Sequence, residues 1–336
     1  IIIQWNGASV LRLGNTLRFV KVISWRVTNR RPLDIMNWIY FALLAQLINA
    51  GVVLLDKFLL TSKSVARPLV YVFYVSMLSG TAFLLLPFKL IFPRQLVFWP
   101  TGPVIWLSLT IGLAFTLSIY FLYNALSSAD ASDVAPVVGA VSALATLLFS
   151  FLLLGGVLTG NFLLGFVFLT AGTALMSYFR FNRRIIGYVL LAGIFFALSA
   201  VTVKMLFNIT SFWNGFFWSR LGNVAVALPL LLWPANRKIF RHNFQVSTLQ
   251  TKFLVLASKF AAGIAFLLIL TAISFGNVAL VNALVGTQFI FLLLFALIFT
   301  KRFPGYFYET VHHHVAIIQK VLATLLIVAG YFLLFV

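Results

Sequence analysis

No cysteine occurs among the 336 residues, and that absence removes disulfides, thiolate nucleophiles and cysteine-ligated metals together. Acids are nearly as scarce. Five Asp and Glu stand against 24 Lys and Arg, so paired catalytic carboxylates have little material to be built from. No Ser-His-Asp order and no G-x-x-x-x-G-K run is present, and neither a hydrolase nor an ATP-driven pump is supported. Charged residues make up 9% of the chain, far below the roughly 25% of a soluble globular domain. Long polar connections are missing too, which leaves no room for a separate soluble domain.

What the chain has is apolar length: 62% of residues are hydrophobic and the mean hydropathy is +1.09. About 20 helical residues cross a ~30 Å hydrocarbon core. Ten stretches of about that size occur, at 37–60, 69–92, 103–125, 133–154, 161–180, 186–207, 212–233, 253–274, 278–300 and 315–336. A membrane β-barrel would alternate polarity over segments of about ten residues, whereas runs such as Phe289 to Phe299 are continuously apolar. The fold class read from this pattern is an all-α, multi-pass membrane protein.

The net charge of +19 gathers outside these stretches, in Arg12, Arg18, Lys21, Arg26, Arg30 and Arg31 of the tail and in Arg180, Arg183, Arg184, Arg237, Lys238 and Arg241. Anionic headgroups attract such flanks as well as nucleic acid does, and the expected partner is the bilayer. The balance of Lys and Arg across alternate connections leans to an outside N-terminus, with orientation left open. Residues 1–34 form a basic tail, in which Val10, Leu13, Leu17, Val20 and Ile23 carry the three-and-four spacing of a surface-lying amphipathic helix. A poorly ordered tail is the equal alternative.

One internal offset organises the rest. Adding 147 to each number superposes Ala125 on Ala272, Ser127 on Ser274, Val134 on Val281, Val138 on Val285, Gly139 on Gly286 and Leu147 on Leu294. The same offset carries Leu43, Leu44, Ala45, Ala50, Lys57 and Leu59 onto Leu190, Leu191, Ala192, Ala197, Lys204 and Leu206. A shared gapless offset indicates duplication, with repeats at 35–182 and 183–336. Five spans per repeat is an odd number, so the second repeat must be inverted about an axis in the membrane plane.

With that order on the page, A-L…A-S-x-V-A-P at 125–136, F-L-L-L-G at 151–155, the Gly165 and Ala171–Gly172 punctuation, the stretch 272–289, Pro304 to Glu309 and Ala329–Gly330 together resemble the drug/metabolite transporter superfamily, in particular its EamA-like branch. The resemblance covers about 35–336. It implies a carrier with a central cavity between the repeats that moves small organic metabolites, often as an exporter. Two positions depart from the family pattern: Gly156 stands where a glutamate is common and Asp133 where a basic residue is frequent.

Charge at membrane depth costs roughly 2.5–3.5 kcal/mol and tends to face a cavity or a partner. Arg220, about nine residues into its span, is therefore the first candidate for the substrate cavity and would attract an anionic group such as a carboxylate. Lys259 is the second, although its stem could snorkel. Lys57 and Lys204 read as interface anchors near helix ends. The uncharged candidates are Gln46 and Asn49, which share a helix face, with Asn282 and Gln288; helix-to-helix hydrogen bonding is their alternative role. Asp56 reads as a solvated helix end, and Asp130 and Asp133 as helix-start groups. Consecutive His312, His313 and His314 diverge around a helix and cannot share one metal ion.

The expectation is a non-enzymatic secondary transporter in the cell membrane, monomer or homodimer, without cofactor and without nucleic acid, moving a small-molecule substrate by alternating access as exporter or exchanger. A lipid-linked substrate flippase and a non-transporting scaffold or lipid-modifying enzyme stay open beside it.

Overall fold

The computed structural model describes residues 3–5, 8–10, 32–61, 68–87, 100–129, 131–155, 160–177, 182–246, 249–300 and 314–333. Two compact units divide at Met36. In the first, Ile3–Trp5 (β1) and Ala8–Val10 (β2) pair antiparallel, with Ile3 opposite Val10. This strand pair lies ahead of the amphipathic pattern read from Val10 to Ile23, and its cause is local. Asn-Gly, the strongest two-residue hairpin signal, stands between the strands at positions 6 and 7. The amphipathic pattern after Val10 lies outside the described residues.

The second unit is helical. In chain order the helices are Pro32–Thr61 (α1, entering this unit after Met36), Pro68–Leu78 (α2), Gly102–Leu126 (α3), Ala131–Leu154 (α4), Asn161–Leu175 (α5) and Arg183–Ile209 (α6). Phe212–Ala227 (α7), Pro234–Val246 (α8), Leu249–Phe275 (α9), Val278–Ala283 (α10), Gly286–Thr300 (α11) and His314–Leu333 (α12) follow. Among the described residues five helices are long and apolar enough to cross a membrane: Gly102–Leu126, Asp133–Leu154, Arg183–Ile209, Phe212–Leu232 and Leu256–Phe275. Five shorter apolar helices accompany them, Trp38–Val53, Val72–Leu84, Asn161–Leu175, Val278–Leu292 and Ile318–Leu333.

Polarity is distributed inside out. Trp106, Leu84 and Phe260 are each more than 70% exposed, and α4 turns Leu144, Leu148, Phe151 and Leu152 outward. Ser118, Thr146, Ser219 and Asn223 are fully buried meanwhile. Water would penalise that arrangement and lipid favours it, because lipid tails leave packing and hydrogen bonding as the forces that join helices. Some hydroxyls are satisfied locally, as Thr146 donates to the Ser142 carbonyl at 2.6 Å and Thr173 to that of Leu169 at 2.7 Å, while those of Ser76, Ser108, Thr116 and Thr170 are left without a partner.

Helix ends follow their residues. Asn182 caps α6 by accepting from the Ile185 amide at 2.9 Å, and Asn277 caps α10 by accepting from Ala279 at 2.9 Å and Leu280 at 3.4 Å. Gly155 closes α4 at φ 64°, a left-handed turn that favours glycine. Both α2 and α7 tighten into 3₁₀ turns, Ser79–Leu85 and Leu228–Leu232. Between α10 and α11 the helix is interrupted: Thr287 donates to Leu284 and Gln288 to Val285, each at 3.0 Å, in the i to i−3 pattern.

Close approach is bought by glycine. A Cβ on Gly222 of α7 would overlap the Ser108 carbonyl of α3, and one on Gly112 would overlap Gly222. The α5 and α12 pair is reciprocal. A Cβ on Gly172 would lie 2.9 Å from the Ala323 oxygen, and one on Gly330 would lie 2.9 Å from the Gly165 oxygen. The two helices run antiparallel, with Gln319 donating at 2.8 Å to the carbonyls of Leu175 and Ser177.

Candidate functional site

Arg220 sits on the second turn and a half of α7, whose other inward residues are Asn214, Phe217, Ser219 and Asn223. Its position follows from Gly222, which lets α7 lie directly against α3. The side chain is 8% exposed. Its guanidinium carbon stands 4.1 Å from the centroid of Phe266 on α9, 5.7 Å from Phe115 on α3 and 5.9 Å from Phe216 on its own helix. Phe115 in turn meets Phe266 edge-on at 6.3 Å and Phe196 of α6 at 6.4 Å. Three helices thus supply rings to one cation, an attraction worth about 2 kcal/mol when desolvated. Rings accept no N–H in the guanidinium plane, however. Arg220 Nε has no hydrogen-bond partner, and no ion pair to Arg220 occurs among the described residues.

The other sequence candidates divide. Gln46 on α1 is 1% exposed, and neither its amide nitrogen nor its oxygen has a partner. Asn49, one turn on, is half-buried. Asn282 donates at 2.6 Å to Thr146 Oγ1 of α4, so it ties two helices together. Gln288 is half-buried on α11, just past the interruption. Lys259 is half-buried on α9; seven residues separate it from Phe266, about 10 Å of helix.

Lys204 departs from the interface-anchor reading. It is 6% exposed, and its Nζ donates to the carbonyls of Ile273 at 2.7 Å, Ser274 at 3.1 Å and Gly276 at 3.0 Å. Ile273 and Ser274 belong to the last turn of α9 and Gly276 follows it, where the helix dipole favours a cation. The side chains of Asp56 and Lys57, and the whole of Asp130, His312 and His313, lie outside the described residues.

Asn223 was not singled out by the sequence, although it follows Arg220 by three residues and so shares its face. It is fully buried, donates to Ser79 Oγ at 3.2 Å and leaves its Oδ1 without a partner. A second miss is α8. Arg237, Lys238 and Arg241, which lie outside the apolar stretches, belong to a basic helix, and that helix is pinned by Phe240, stacked on Phe73 at 4.2 Å, and by the Tyr74 hydroxyl donating to the Phe240 carbonyl at 2.8 Å.

No family model matches the chain, and no curated protein does. A solved structure described as "Crystal structure of protein" superposes on it with a TM-score of 0.59 at 17% identity, over 90% of this chain and 96% of that one. At such identity the likeness is one of fold, and it extends over nearly the whole of both chains.

Proposed function

We propose that the chain is a secondary transporter for small organic solutes, built from ten membrane spans as two inverted repeats, in the manner of the EamA-like drug/metabolite transporters it resembles. The observation that carries the reading is Arg220. A guanidinium held among apolar rings in the middle of a long apolar helix, with its Nε unpaired, is costly unless something visits it. A passing solute with an acceptor group is the economical visitor.

The repeat reading draws on element positions. Gly102 and Leu249, which open α3 and α9, are 147 apart; Ala131 and Val278, which open α4 and α10, are also 147 apart; so are Leu85 and Leu232, which end the two 3₁₀ turns. In the last pair Gly165, Leu169 and Gly172 match Ala323, Ile327 and Gly330 at a shift of 158, so additional residues precede α12. The reciprocal contacts of Gly172 and Gly330 are those a two-fold axis between antiparallel helices would generate. Repeats rocking about a fixed site give alternating access. The site residues proposed are Arg220, Gln46 and Asn223, each buried with a polar atom left unpartnered; Asn49, Gln288 and Lys259 are half-buried, and Asn282 is assigned to packing.

The test is counterflow of a metabolite library into liposomes containing the purified protein. Accumulation of at least one organic solute above protein-free vesicles supports the carrier. Absence of counterflow for every class, with the protein folded, removes it.

A further inference from the structure

From the surroundings of Arg220 we infer that the solute is a monoanionic organic acid with an apolar, ring-sized body, and that it moves by obligatory exchange. The inference rests on the carrier reading and adds charge, shape and coupling to it. Arg220 presents a planar fork whose donors lie in its plane, the geometry that a carboxylate accepts from two nitrogens at once. Phe266, at 4.1 Å, lies against the guanidinium, and Phe115 and Phe216 stand within 6 Å. These rings offer no hydrogen-bonding group to the hydroxyls of a sugar and good contact to an aliphatic or aromatic body. Lys259, the other cation proposed for the site, stands seven residues along α9 from Phe266, about 10 Å of helix. A short dianion such as succinate or hydrogen phosphate would therefore carry one charge into the rings uncompensated.

Coupling follows from the same charge count. With a monoanion bound, the site is neutral in the occluded state, when the rocking repeats seal it from water on both sides. Empty, it holds a cation whose Nε is unpaired, and sealing that charge from water on both sides without a counter-ion is disfavoured. Return of the empty carrier is thus the slow step, and an anion on the opposite side removes it.

The experiment uses the full chain and 3-phenylpropionate as probe, at about pH 8, where the acid is ionised. Thermal stabilisation of the purified protein is read first. The acid is expected to bind at least about tenfold more tightly than 3-phenylpropanamide, succinate or phosphate, a margin set by one charge-assisted bidentate pair. Arg220→Gln should abolish the preference, and Arg220→Lys, which keeps the charge and loses the fork, should weaken it about tenfold. Equal stabilisation by acid and amide overturns the inference, and that comparison needs no variant to fold. Efflux of labelled probe from proteoliposomes is read second. It should quicken severalfold when unlabelled probe is added outside, and efflux indifferent to outside probe overturns the exchange claim. Specific binding without any movement would leave the anion site standing and bring down the carrier reading instead.

Discussion

Lys204 shows how much one buried amine can hold. Its Nζ answers three carbonyls at the end of α9, and each hydrogen bond to a charged group contributes about 1.5–3 kcal/mol net. Lys204→Met removes all three and strands the carbonyls, so the melting temperature of the detergent-solubilised protein should fall by several degrees. An unchanged melting temperature would mean that those carbonyls find other partners. The sequence named Lys204 and its depth near a helix end but assigned it the wrong neighbour, because a carbonyl cluster 69 residues away leaves no trace in local spacing. Arg220 was legible from depth alone. Its ring contacts were not, since Phe115 and Phe266 belong to α3 and α9, and an abundance of 37 phenylalanines marks none of them.

At the scale of elements, apolar length is a strong signal and termini are weaker ones. Every apolar stretch carries a helix, yet α8 falls outside those stretches because its basic residues outweigh Ile239 and Phe240. The α10–α11 interruption was also missed, as Asn282-Ala-Leu-Val-Gly286 contains one glycine and no proline. Contact between elements yields two predictions. Gly222→Ala forces a Cβ onto the Ser108 carbonyl and should destabilise by about 1–3 kcal/mol, whereas Gly263→Ala, with nothing within 4 Å, should be neutral or gain up to about 1 kcal/mol of helix propensity. Thermal unfolding of the two variants side by side checks the contrast. The bond from Asn282 to Thr146 at 2.6 Å should couple by about 0.6 kcal/mol in a double-mutant cycle of Asn282→Ala and Thr146→Val.

For the whole molecule, the proposed repeats draw on the 147-residue spacing between the openings of α3 and α9 and of α4 and α10, while the pairing proposed for α5 and α12 needs a different shift, which a search for one offset does not accommodate. If Gly172 and Gly330 are symmetry mates, Gly172→Leu and Gly330→Leu should harm stability to a similar degree; a severe effect of one beside a mild effect of the other would argue against the two-fold. The central claim is that a solute passes between the halves at the depth of Arg220, and the absence of native cysteine makes it directly measurable. Phe266→Cys places a lone thiol beside the guanidinium. In oriented vesicles a membrane-impermeant maleimide should reach that thiol from either side, and 3-phenylpropionate should slow both reactions. Modification from one side only, or from neither, would contradict alternating access at this site.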